Sequence, residues 1–97
     1  MIKRIVKLTF QEDKIDTFLR IFKDSKSKIR ASQGCHHVEL LQGMDQGNIF
    51  FTFSIWENEE ALNTYRQSDL FRKTWAKTKV LFIDKPQVWS VNFIDEA

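Results

Sequence analysis

The chain has 97 residues and a mass of 11.6 kDa; 42% of the residues are apolar, 29% are charged, and the net charge is +2. That is one domain with a single core, large enough to fold without disulfides or metal, and not a disordered, collagen-like or low-complexity chain. No apolar run could span a membrane, residues 1–7 lack a signal-peptide core, and a lone Cys35 cannot close an internal disulfide, so a cytoplasmic protein with no membrane partner is expected.

Residues 2–10 alternate, with Ile2, Val6, Leu8 and Phe10 on one face and Lys3, Ile5, Lys7 and Thr9 on the other, the pattern of a half-buried strand. From Gln11 the period becomes helical: Ile15, Phe18, Leu19, Phe22 and Ile29 recur along one stripe, acidic residues occupy the first turns, and Lys28 and Arg30 lie near the end. Gly34 is placed to stop this helix. A second strand runs from Cys35 to Gln42. The loop from Gly43 to Gly47 then makes a hairpin, with two glycines available for positive φ.

The third strand, Asn48 to Trp56, is apolar on both sides. Ile49, Phe51, Phe53 and Ile55 share one face; Phe50, Thr52, Ser54 and Trp56 share the other. An antiparallel sheet with one solvated face alternates more cleanly, so both faces of this strand are expected to be covered. Asn58 and Ser68 are N-cap residues for two short helices, the first carrying Ala61, Leu62 and Tyr65, the second Leu70, Phe71, Trp75, Thr78 and Phe82. Lys85-Pro86 ends the helical region. A last strand, Gln87 to Ile94, puts Trp89, Val91 and Phe93 on one face.

The order is β-α-β-β-α-β with the second helix broken. It predicts an α+β fold of the ferredoxin-like plait, a four-stranded antiparallel sheet with its helices on one face. The apolar residues on the other face then call for a partner, most economically a second copy of the chain as a homodimer.

The chemistry-bearing residues are few. His36 and His37 are adjacent on a strand and point to opposite faces, so they cannot chelate one metal ion; His37 and Glu39 share a face but make only two ligands. No metal site is expected. There is no phosphate loop, zinc-spaced Cys pair or nucleophile elbow. Nucleic acid is not expected as a partner either. Gln46 stands where an RNA-recognition motif needs a basic residue, and no Lys or Arg lies between Cys35 and Tyr65. The aromatic set Trp56, Tyr65, Phe71, Trp75 and Trp89 remains; most of it is expected to pack in the core, but several of these residues could line a pocket for a flat organic ligand.

Trp56-Glu57-Asn58-Glu59-Glu60-Ala61-Leu62-Asn63-Thr64-Tyr65, followed by Ser68-Asp69-Leu70-Phe71, resembles the antibiotic biosynthesis monooxygenase domain. In that family a third strand ends in Trp, an acidic or Ser residue follows, the next helix carries Ala and a further short helix carries Phe. The Gly34-Cys35 start of the second strand also fits. The resemblance implies a dimeric α+β barrel, in which two four-stranded sheets pack face to face. It also implies a cofactor-independent monooxygenase acting on a small aromatic or quinol substrate. Trp56, Tyr65, Phe71 and Trp75 would hold that substrate, and Tyr65 with His36 or His37 would serve catalysis.

Haem-degrading relatives use an Asn on strand one, a Trp on the first short helix and a haem-ligating His on the second. Those positions hold Val6, Tyr65 and Trp75, so haem is not expected and no cofactor is assigned. Many members carry His where Tyr65 stands; Tyr donates a hydrogen bond but is a poor base at neutral pH. The alternative is a non-catalytic dimer of the same fold that binds or senses a small molecule.

Overall fold

A computed structural model describes residues 1–97. Strands β1 (Ile2–Thr9), β2 (Cys35–Gln42), β3 (Ile49–Trp56) and β4 (Gln87–Val91) form one antiparallel sheet in the order β2-β3-β1-β4. Helices α1 (Ile15–Arg30), α2 (Glu59–Arg66) and α3 (Asp69–Lys79) pack on one face. This is the expected ferredoxin-like plait.

The cap residues act as their chemistry requires. The Asn58 side chain accepts from the Ala61 N–H at 2.8 Å, and the Ser68 hydroxyl accepts from the Phe71 N–H at 3.1 Å. On α1 the inward stripe runs Phe18, Phe22, Ser25 and Ile29. Leu19, expected on that stripe, lies about 100° round the helix from Phe18 and is exposed.

Four boundaries differ from the sequence reading. The segment after Gln11 starts as a 3₁₀ turn, Glu12–Lys14, before α1. α1 ends at Arg30, and Gly34 instead makes the turn into β2, at φ +81°; a Cβ there would stand 2.5 Å from that of Ala61. The hairpin glycines do not adopt positive φ; at Gly43 the requirement is space, since a Cβ would meet the Gln46 carbonyl at 2.8 Å. α3 stops at Lys79, because the backbone of residues 81–83 is engaged by the end of β1: Gln11 N–H donates to the Leu81 carbonyl and Ile83 N–H to that of Thr9. β4 ends at Val91, opposite Lys3; Phe93 and Ile94 lie beyond it and are exposed.

Register defines the two faces. Towards the helices lie the rows Cys35–Trp56–Ile2, Val38–Ser54–Arg4–Ser90 and Leu40–Thr52–Val6–Val88, and then Gln42–Phe50–Leu8. Away from them lie His37–Ile55–Lys3–Val91, Glu39–Phe53–Ile5–Trp89 and Leu41–Phe51–Lys7–Gln87. The helices therefore cover the mixed face of β3 and leave its wholly apolar face open. Between Cys35 and His37 a bulge puts both Cys35 and Val38 on the helix side.

The core has two parts. One is aromatic: Phe10, fully buried, stacks on Phe18 at 4.1 Å and meets Phe50 and Phe82. The other gathers Ile29, Cys35, Trp56 and Leu62 beneath α2. Thr52, Ser54 and Ser25 lie between the two clusters; they are too short to fill that space.

Candidate functional site

The unfilled space is a cavity of about 330 Å³ between the sheet and the three helices. Val6, Leu8, Thr52, Ser54 and Trp56 form its floor, α1 contributes Phe18, Phe22 and Ser25, and α2 and α3 contribute Tyr65, Arg66, Phe71 and Trp75. Its size is near the lower end of small-molecule sites, about 300–1,000 Å³, which suits one or two fused rings.

The four residues assigned to substrate binding do come together. Tyr65 stacks on Trp56, with centroids 4.8 Å apart and planes at 26°, and meets Phe71 edge-on at 5.3 Å. Phe71 lies parallel to Trp75 at 6.0 Å, so the four rings form one continuous wall. The break between α2 and α3 makes this possible. Ser68 closes one helix by donating to the Tyr65 carbonyl at 2.6 Å and opens the next as its N-cap, turning Tyr65 and Phe71 towards the same space. The Trp56 indole N–H donates to Ser54 Oγ at 3.0 Å, which satisfies a fully buried donor within its own strand.

The Tyr65 hydroxyl has no such partner. Burial, reinforced by Cys35 and opposed by Arg4, pushes its pKa up to about 12. Tyr65 is therefore a neutral hydrogen-bond donor. Because the folded value is raised, its contribution to stability is intact below its ordinary pKa of 10.0 and is lost as pH climbs through about 12. The chain has one tyrosine. Its phenolate absorbance should thus show a single titration near pH 12 in the folded protein, moving to about 10 in denaturant. A folded-state midpoint near 10 would show that the phenol is solvated rather than enclosed.

Neither histidine lines the cavity. The bulge turns His36 out to the surface, where it pairs with Glu57, and His37 lies on the open sheet face, bonded to Glu39 at 2.7 Å and edge-on to Phe53. The structure thus separates His36 and His37 from Tyr65, with which the sequence reading had grouped them. Cys35 is buried beneath α2, and that burial pushes its thiol up. No three His, Cys, Asp or Glu side chains converge anywhere in the chain. No helix is long and apolar enough to cross a membrane.

What sequence reasoning missed is cationic. Arg4 lies on the helix side of β1, in phase with Ile2, Val6 and Leu8, and lines the cavity together with Arg66 from the last turn of α2. A charged residue in the apolar phase of a strand was the available signal. Burial first, and then the Arg66 guanidinium, lower the Arg4 pKa; Tyr65 acts in the opposite direction.

The sequence pattern of antibiotic biosynthesis monooxygenases matches residues 1–77, a stretch that includes Arg4 and all four wall aromatics. The chain belongs to this family. Solved structures agree on the fold. An antibiotic biosynthesis monooxygenase superposes with a TM-score of 0.92 at 17% identity, over 98% of this chain and 100% of that one. A Mycobacterium tuberculosis protein gives 0.90 at 21% identity, over 99% and 97%, and a conserved protein of Methanosarcina mazei gives 0.89 at 17%, over 93% and 89%. Comparison with curated proteins finds no match. Family membership supports a monooxygenase-like function in general terms.

Proposed function

We propose that this chain is a cofactor-independent monooxygenase-like enzyme whose substrate is a small phenol or quinol bound in the cavity. The observation that carries the reading is the wall Trp56–Tyr65–Phe71–Trp75 around a protonated, unpartnered Tyr65 hydroxyl. The wall offers one aromatic face for a ligand ring to lie against, and Tyr65 donates to its oxygen.

The charged groups at the cavity are both cationic, Arg4 and Arg66, so the anionic form of a bound phenol is favoured over the neutral one. The proton leaves to water at the mouth. The electron-rich anion then reacts with dioxygen at a ring carbon. One oxygen atom stays on that carbon; the other leaves as hydroxide with a second substrate hydrogen and takes up a proton from water, so the substrate loses two hydrogens in all and one water is formed. Tyr65 keeps its hydrogen bond to the substrate oxygen throughout.

The test is anaerobic incubation with a panel of hydroquinones and anthrones, followed by oxygen addition. Uptake above the buffer rate is expected, with kcat reduced about a hundredfold by Tyr65→Phe through loss of one donor to a charged oxygen. No uptake with any member of the panel would overturn the catalytic reading.

A second reading, a binding or sensing protein without turnover, is favoured by one observation. No His, Asp, Glu or Cys lines the cavity, so no side chain there is a base at neutral pH. Saturable ligand binding without oxygen uptake would select it.

The same proposal includes a homodimer formed through the open sheet face. Ile5, Phe51, Phe53, Ile55 and Trp89 form a contiguous apolar band there, and Trp89 is 45% exposed in the single chain. A second copy meeting this band face to face would cover it.

A further inference from the structure

We propose that the ligand of this cavity carries its own acidic group, a carboxylate on the aromatic ring, seated on Arg4 and Arg66. This inference rests on the reading of the cavity as an aromatic-ligand site and narrows it to aromatic acids. Three observations carry it.

The first is placement. The helix-covered face of the sheet is apolar along β1 except at one row, where Ser54, Arg4 and Ser90 stand side by side on neighbouring strands. A half-buried guanidinium in that row is costly unless something compensates it.

The second is the lack of compensation within the chain. Of the five N–H donors of Arg4, one reaches Ser90 Oγ, at 3.3 Å. Both ion pairs of the chain use histidine, His36 with Glu57 and His37 with Glu39, and neither guanidinium has a carboxylate partner.

The third is like-charge clustering at an opening. Arg66 ends α2 at the rim of the same cavity, close enough to Arg4 to weigh against its charge. Two cations brought together without an anion, next to an aromatic slot, define a site that an anion completes. A planar guanidinium favours a carboxylate, which it can grip through two parallel hydrogen bonds. The ring of such a ligand would lie against Tyr65 and Trp75, with its acid group at the mouth.

The experiment is calorimetric titration of the wild-type protein, under anaerobic conditions, with 2,5-dihydroxybenzoate and with its methyl ester. The acid is expected to bind about tenfold or more tightly than the ester, the scale of a charge-assisted hydrogen bond. Arg4→Met should bring the two affinities together by weakening the acid alone. Arg66→Gln, at an exposed position that leaves the fold intact, should narrow the gap.

Equal affinities for acid and ester in the wild type would overturn the inference, as would no binding of the acid or a gap unchanged in both variants. The two proposals fail separately. Oxygen uptake with neutral hydroquinones but no acid preference keeps the enzyme and removes the anion subsite. Acid preference without oxygen uptake does the reverse.

Discussion

Trp56→Ala should lower the stability of the chain by about 3–5 kcal/mol, a large share of the roughly 5–15 kcal/mol available to a domain of this kind. Trp56 is 1% exposed, packs in one cluster with Ile29, Cys35 and Leu62, and stacks on Tyr65 at 4.8 Å. Truncation removes the largest side chain of that cluster, extends the cavity into the core, and leaves the Ser54 hydroxyl without its indole donor. Trp56→Phe keeps a ring against Tyr65 and loses only the outer part of the indole and the bond to Ser54. It should cost about 1–2 kcal/mol. Urea unfolding of the three proteins provides the check. A loss below about 1 kcal/mol for the alanine variant would show that α2 and α3 collapse onto the vacated space and that the cavity is not rigidly bounded.

The second large effect is on assembly. In solution the wild-type chain is expected at twice its 11.6 kDa mass, and Phe53→Asp is expected to return it to the single-chain mass at micromolar concentration. Phe53 sits in mid-sheet on the open face, between Glu39 and Ile5. A carboxylate there would be desolvated in the interface directly opposite another carboxylate, a penalty of about 3 kcal/mol or more, or at least a hundredfold in affinity. Phe53 belongs to neither core cluster, so the variant should keep the wild-type far-ultraviolet circular dichroism. A wild-type mass equal to one chain, measured by light scattering, would remove the homodimer proposal.

The fold was legible wherever local chemistry decides conformation. Alternation in Ile2–Thr9, the helical stripe through Phe18, Phe22 and Ile29, and the caps Asn58 and Ser68 all act locally, and each element formed where its pattern lay. The errors at the ends of α3 and β4 fell where pairing with a distant segment decides. α3 ends early because residues 81–83 bond to the end of β1, and β4 ends at Val91, the last of its residues paired with β1. No pattern within either segment encodes such competition.

The candidate site divides in the same way. Trp56, Tyr65, Phe71 and Trp75 were legible because aromatic residues beside a capped break in a helix have few other places to go. Which face of β3 the helices would cover was not legible, since both faces carried Phe. The wholly apolar face turned out to be the open one, while Thr52 and Ser54 border the cavity. Arg4 was legible in principle, as the charged exception in an apolar phase. Its meaning emerges only when Arg66 and Ser90, 62 and 86 positions away in sequence, are brought beside it.

The bulge at the start of β2 decides which side chain enters the core beside Trp56. With His37 opposite Ile55, an unbroken ladder would place His36 opposite Trp56, on the helix side and next to the ring stacked with Tyr65. The extra residue puts Cys35 there instead and sends the imidazole to the surface. Shortening the strand by one residue, with no change of side-chain type, would put an imidazole in place of that small thiol, inside the cluster of Ile29, Trp56 and Leu62. The extra residue therefore keeps a polar ring out of the core and leaves Trp56 free to pack against Tyr65.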